Sequence, residues 1–178
     1  MQPEQVFLDS LRWLKEHYGD FRFFVERDVV WTIQEDLRAR LAREGMPHLV
    51  FNDFPMLKGN RRALSTDIAL VSPQADVVLA AEFKYEPDHC RGGNRAEIWP
   101  TKLQPTIVFW DAEGVLKDVH RIHEFVDQGR TPVEYSVFDE GGCFRHRPAH
   151  PGTEWQDWSC GGVRPREVSV LVGVHRKT

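Results

Sequence analysis

Little in this 178-residue sequence suits a membrane protein, a secretory scaffold or a repeat array. Its three cysteines are widely spaced and make no disulfide framework, which fits a reducing, cytoplasmic setting. No apolar run approaches the length of a membrane span. The opening Met1-Gln-Pro-Glu has neither the basic start nor the apolar stretch of a secretory signal, so none is expected. Internal repeats and low-complexity linkers are absent. There is also no excess of positive charge: 23 Lys and Arg stand against 27 Asp and Glu, a net charge of −4. That balance speaks against a wholly basic, phosphate-gripping surface. Two chemistries lack their motifs, since there is no Gly-x-Ser-x-Gly nucleophile elbow and no Gly-x-x-x-x-Gly-Lys phosphate loop.

What is present is the composition of a soluble globular domain, 41% hydrophobic and 28% charged. The length suits one domain with a sizeable core over residues 1–178. An N-terminal amphipathic helix lies within 1–20, with Phe7, Leu11 and Leu14 on one side. A second helix runs from about Val25 to Glu44 and is closed by Gly45 and Pro47. Leu49 to Met56 reads as a strand. Val115, Leu116, Val119, Ile122 and Val126 have helical spacing and predict a helix near 113–128. Val133–Phe138 and Glu167–Val174 read as further strands, and 143–165 as irregular. The stretch Ile107–Trp110 is apolar but too short to assign.

Between these elements lies the most informative segment. Asp67-Ile-Ala-Leu-Val71 and Val77 to Tyr85 are rich in β-branched and aromatic residues, and Ser72-Pro-Gln-Ala-Asp76 between them is turn chemistry. In a hairpin, partners lie at equal distances from the turn, and the midpoint of 67 and 82 falls inside that turn. Asp67 is therefore expected opposite Glu82. Side chains alternate along a strand, so Glu82 and Lys84 share a face and Phe83 takes the other. Two carboxylates and an ammonium converge, at the end of a strand that otherwise reads as buried. These residue types suit an Mg²⁺ site, because Mg²⁺ takes a few carboxylate oxygens and keeps several waters. A divalent cation of this kind makes water nucleophilic and receives phosphate charge. A compact ammonium such as Lys84 can orient or help deprotonate the attacking water.

Asp67, followed by Glu82-Phe83-Lys84 in the order helix, strand, strand, strand, helix, strand, resembles the PD-(D/E)xK nuclease superfamily from about Phe24 to Phe138. Thr66 stands where the family name has proline. The resemblance implies a three-layer, restriction-endonuclease-like α/β domain. Its mixed central sheet would have about five strands, with the core at about 24–138 completed by the strand at 167–174. It implies Mg²⁺- or Mn²⁺-dependent hydrolysis of DNA, with Asp67, Glu82 and the main-chain carbonyl of Phe83 as metal ligands. Members of the superfamily often add a glutamate from the first core helix, and two candidates exist, Glu26 and Glu35. At roughly 100° per residue, Val30, Ile33, Leu37 and Leu41 define the buried stripe, Glu26 extends it, and Glu35 points away. Glu26 is therefore assigned to the site as catalytic residue and ligand, with Asp67, Glu82 and Lys84, and Glu35 is expected at the surface near Arg38.

Other features have competing readings. Cys143-x-x-His146-x-x-x-His150, with Cys160 or Cys90, has zinc-compatible ligands, but Pro148 and Pro151 interrupt it and no Cys-x-x-Cys pair exists. Zinc is not expected. Trp155 and Trp158 could stack on unpaired bases or simply pack. The local basic clusters Lys58–Arg62, Arg91–Arg95, Arg145–Arg147 and His175–Lys177 could track phosphates or merely be solvated. No DNA-reading module is attached, so specificity would come from loops, a homodimer or a partner protein. Two alternatives stay open: a non-catalytic nucleic-acid or protein interaction module, and a nuclease acting on RNA.

Overall fold

The computed structural model describes residues 2–58, 63–87, 108, 110–111, 114–128, 133–140, 142–160 and 167–176, with 133–137 described in their backbone. Helix α1 spans Pro3–His17 and runs into a 3-10 turn at Tyr18–Asp20. Pro3, with its preset φ, opens α1, and Glu4 near its start and Lys15 and His17 near its end match the helix dipole. Helix α2 spans Glu26–Arg43. Its first turn is capped by Asp28, whose Oδ2 accepts the backbone N–H of Phe24 at 2.8 Å and of Val25 at 3.1 Å. Gly45 ends it in the left-handed region at φ 65°, so that Gly45 N–H reaches Ala42 O and Met46 N–H reaches Leu41 O. This pair of bonds is the Schellman closure that glycine permits.

The remaining elements are strands β1 (Leu49–Leu57), β2 (Leu64–Val71) and β3 (Val77–Glu86), helix α3 (Val115–Asp127), and strands β4 (Val133–Asp139), β5 (Thr153–Asp157) and β6 (Ser169–His175). They form an α/β structure with one open, mixed six-stranded sheet in the order β1-β2-β3-β4-β6-β5. Among the described strands only β3 and β4 run parallel, and the connection between them carries α3. Such a junction needs a crossover over one face of the sheet, whereas antiparallel neighbours can join by short turns.

Alternation along the central strands sorts their side chains into two cores. Ile68, Leu70, Leu79, Ala81, Phe83 and Tyr85 pack with Phe7, Leu11 and Leu14 of α1 and Val29, Ile33 and Leu37 of α2. Ala69, Val71 and Ala80 pack on the opposite side with Val115, Val119, Ile122 and Phe125 of α3. By the same parity Asp67, Glu82 and Lys84 belong to the α3 side, while Phe83 beneath them is buried against α1 and the α2 side.

The sheet has six strands where about five were expected. The additional one, β5, lies in the stretch read as irregular. Its sequence Thr-Glu-Trp-Gln-Asp is polar and its residues stay partly or fully exposed, because it is an edge strand pairing only with β6. An edge strand with one wet side carries little of the apolar alternation that marks a central strand. The residues of Ile107–Trp110 remain largely outside the described set, with Val108 and Trp110 within it.

The rotation of α2 is testable by stability. Leu37 is fully buried, and Glu35 forms an exposed pair with Arg38 at 3.1 Å. Leu37→Ala should lower the unfolding free energy by about 2–5 kcal/mol in urea titrations. Glu35→Gln should stay within about 0.5 kcal/mol of the parent.

Candidate functional site

The β2–β3 ladder is paired from the turn up to Ile68↔Ala81; continued by one residue that register sets Asp67 opposite Glu82, and the two carboxyls interact. A bulge near the turn shifts Val71↔Val77 by one residue relative to Leu70↔Leu79, yet the register at the far end follows the midpoint count. Past Ile68, side chains replace the main-chain ladder. Thr66 Oγ1 donates to Ala81 O at 2.8 Å, and Asp67 Oδ2 accepts the N–H of Phe83 at 2.8 Å. The other edge of β3 stays paired with β4 as far as Glu86↔Asp139, so β3 is held straight while β2 leaves it. The opening between the two strands is where the carboxylates stand.

Lys84 lies at the centre of this opening. Its Nζ is 2.9 Å from Phe83 O, 3.1 Å from Asp118 Oδ2 and 3.4 Å from Glu26 Oε2. Glu26 comes from the first turn of α2, as the helical arithmetic placed it, and Glu35 points away to its exposed partner Arg38. Arg121, one turn beyond Asp118 on α3, places Nη2 3.3 Å from Asp118 Oδ1 and Nη1 3.7 Å from Glu82 Oε1. Among the described residues the cluster therefore holds four carboxylates, of Glu26, Asp67, Glu82 and Asp118, against two cations, Lys84 and Arg121.

Desolvation and crowding shape the charges. Burial raises the Glu82 carboxyl well above its ordinary range, and the neighbouring Asp67 pushes the same way. Asp67 is raised as well, chiefly by burial; Lys84, the Phe83 N–H and a hydrogen bond with Glu82 oppose the shift. Glu26 is pushed from 4.5 to about 7 by burial, and Lys84 counters part of that rise. Glu26 keeps 37% of its side chain exposed, so solvent screens some of this effect. Burial pulls the Lys84 ammonium toward losing its proton, but Glu26, Asp118, Asp67 and Glu82 together outweigh it and hold the ammonium charged. With all four carboxyls ionised, two negative charges would be uncompensated among the described residues; the upward shifts mean that protons take part of that load, a place a cation could also fill.

The donor set fits a hard divalent ion. Glu82 Oε1 is buried with no hydrogen-bond partner, with Arg121 beside it beyond hydrogen-bond reach. Asp67 stands across from it, and all the oxygens in question are carboxylate or carbonyl. Among the described residues no group of three His, Cys, Asp or Glu is arranged around a common ion position. Asp67 and Glu82 could offer a hard divalent ion a few carboxylate oxygens, with the remaining positions left to water. The Phe83 carbonyl, the third ligand implied by the resemblance, accepts the Lys84 ammonium here.

The structure thus brings Asp67, Glu82, Lys84 and Glu26 together and adds Asp118 and Arg121, which sequence reasoning missed. A signal did exist. Asp118 interrupts the apolar stripe Val115, Val119, Ile122 and Val126 of α3, and it is buried. A carboxylate on the buried face of an amphipathic helix requires a partner. The other candidates are dispersed. The His150 ring stacks on Trp110 at 4.9 Å, Cys143 and Cys160 are each half-buried, and Cys90 lies outside the described residues. Trp158 is buried against Tyr18 and Phe138, and Trp155 stacks on Trp110 at 5.7 Å. Arg145 is bound to Glu167 at 2.7 Å and Arg176 to Glu4, whereas Arg61, Arg62 and Arg91–Arg95 lie outside the described residues. No described helix is long and apolar enough to cross a membrane. No protein-family model, curated protein or solved structure matches this chain.

The raised carboxyl of Glu26 makes a signed prediction. The native state holds a proton that the unfolded chain releases near 4.5, up to a pH of about 7. Its contribution to stability is thus complete below 4.5 and is lost as the pH rises through about 7. In EDTA, melting temperature should fall more steeply across that window for the parent protein than for Glu26→Gln. Equal slopes in the two proteins would show that Glu26 titrates normally.

Proposed function

We propose that this chain is a Mg²⁺- or Mn²⁺-dependent nuclease that hydrolyses phosphodiester bonds in DNA, with a PD-(D/E)xK-like site on a restriction-endonuclease-like core. The observation that supports it most is the buried charge imbalance: Asp67 and Glu82 face each other at the opening between β2 and β3, beside a charged Lys84. In such an arrangement a cation can take the place of the protons that the crowded carboxyls otherwise hold. Asp67 and Glu82 would hold the ion, with Glu26 at the rim. When bound, the ion supplies an acidified water and a counter-charge for the scissile phosphate.

Phosphodiester hydrolysis forms one phosphorus–oxygen bond to water and breaks another to the leaving oxygen, which takes up a proton. Lys84 is well suited to one part of this. Because the surrounding carboxylates keep it protonated, it acts as a hydrogen-bond donor and positive charge, orienting water and stabilising the phosphate oxygens. Taking the proton from water falls instead to a carboxylate, or to bulk water reached through the rim at Glu26. Specificity would rest on loops, on a homodimer or on a partner protein. One observation favours the non-catalytic alternative: Arg121 already offers a built-in positive charge 3.7 Å from Glu82. An interaction module could use Arg121 in place of an ion.

The deciding experiment incubates the protein with linear, nicked, supercoiled and single-stranded DNA, and with single-stranded RNA, in Mg²⁺, Mn²⁺ or EDTA. Cleavage of DNA that EDTA abolishes is expected. Absence of cleavage on every substrate, with no heat of metal binding in calorimetry, would favour the interaction module. Lys84→Ala should lose cleavage and still bind metal, while Asp67→Ala should weaken metal binding itself. Glu26→Gln should slow cleavage by at least about tenfold, about 1.4 kcal/mol in the barrier, with Glu35→Gln near silent. The reverse ranking of the two glutamates would remove Glu26 from the site.

A further inference from the structure

The two cations of the cluster meet on one residue. Asp118 gives one carboxylate oxygen to each: Oδ2 lies 3.1 Å from Lys84 Nζ, and Oδ1 lies 3.3 Å from Arg121 Nη2. Its side chain is only 5% exposed. It is carried on α3 between Val115 and Val119, which are anchored in the core with Ile122, Phe125 and Val126. A carboxylate placed there without partners would carry the full penalty of a buried charge. With a cation on each oxygen it becomes a rigid post.

Lys84 needs such a post. Its other acceptors are the carbonyl of its neighbour Phe83 at 2.9 Å and Glu26 at 3.4 Å, and Glu26 stands at the more exposed rim. A four-carbon stem carrying a compact ammonium has many rotamers of similar energy. Without Asp118, the ammonium would be left to the Phe83 carbonyl and the more exposed Glu26. Arg121 is fixed in the same way, with one side of its guanidinium on Asp118 and the other turned to Glu82 Oε1 at 3.7 Å.

We propose that Asp118 is the positioning residue of this site, acting through Lys84 and Arg121 and making no contact with substrate itself. The catalytic part of this rests on the nuclease reading, whereas the placement of the Lys84 ammonium does not. A carboxylate that only supported the fold would add its effect independently of Lys84. One that acts through Lys84 has nothing left to lose once Lys84 is gone.

The test combines kinetics with a direct view of the ammonium. Steady-state cleavage of linear DNA in Mg²⁺ should show that Asp118→Asn lowers kcat by at least about tenfold, with KM within about twofold of the parent. Measured at enzyme excess on the residual cleavage that Lys84→Ala leaves, Asp118→Asn should cost less than about a further twofold. In ¹⁵N-lysine-labelled protein, a slowly exchanging ammonium resonance assigned by Lys84→Ala should be seen in the parent and lost in Asp118→Asn. Wild-type kcat in Asp118→Asn, or costs that multiply with Lys84→Ala, would overturn the proposal, as would an unchanged ammonium resonance. If the parent protein cleaves no DNA, the nuclease reading fails while the resonance still decides whether Asp118 places Lys84. Should Asp118→Asn fail to fold, Asp118→Glu keeps the charge but moves it by one methylene. It should show the same loss of kcat and of the resonance, and parent-like behaviour would again overturn the proposal.

Discussion

Four carboxylates and two cations share one poorly solvated space above the sheet, and the placement of the surrounding elements serves to hold that imbalance. Like charges at this separation raise one another's proton affinity, and burial adds to the effect. The result is visible in Glu82, Asp67 and Glu26, all pushed upward. Such a cluster persists only where the rest of the fold contributes enough packing to offset its cost. Here that packing is a sheet with apolar cores on both faces.

The opening itself follows from a local competition for hydrogen bonds. Up to Ile68↔Ala81, backbone groups pair across β2 and β3; beyond it, Thr66 and Asp67 take the Ala81 carbonyl and the Phe83 N–H with their side chains. Those two backbone groups are thereby satisfied by side chains. The strands can therefore part without leaving orphaned donors, and the space gained admits Glu82 and Lys84. Phe83, between those two residues, points to the opposite face and packs against Phe7 and Phe138, which pins the strand under the site.

Much of the fold was legible because its periodicities are local. The stripe Val30–Ile33–Leu37–Leu41 set the rotation of α2 and with it the direction of Glu26, and the Ser72–Asp76 turn set the register that brings Asp67 to Glu82. Strand β5 was not legible. Five mostly polar residues at a wet sheet edge are defined by their partner β6 and carry little pattern of their own. Asp118 was half legible, as a charge on an apolar stripe whose partner could not be named from the chain.

Sequence alone determined the residue types and their faces: which side chains share a side of a strand or helix follows from fixed periods of two and 3.6 residues. It thereby determined that Asp67, Glu82 and Lys84 converge. Only the tertiary structure decided what stands opposite them. Asp118 and Arg121 come from a helix more than thirty residues further along the chain, and Glu26 from one about forty residues before Asp67. Their meeting depends on where the parallel β3–β4 crossover lays α3 against the sheet and where α2 begins. Those placements are settled by long-range packing of two cores, and no local period encodes them.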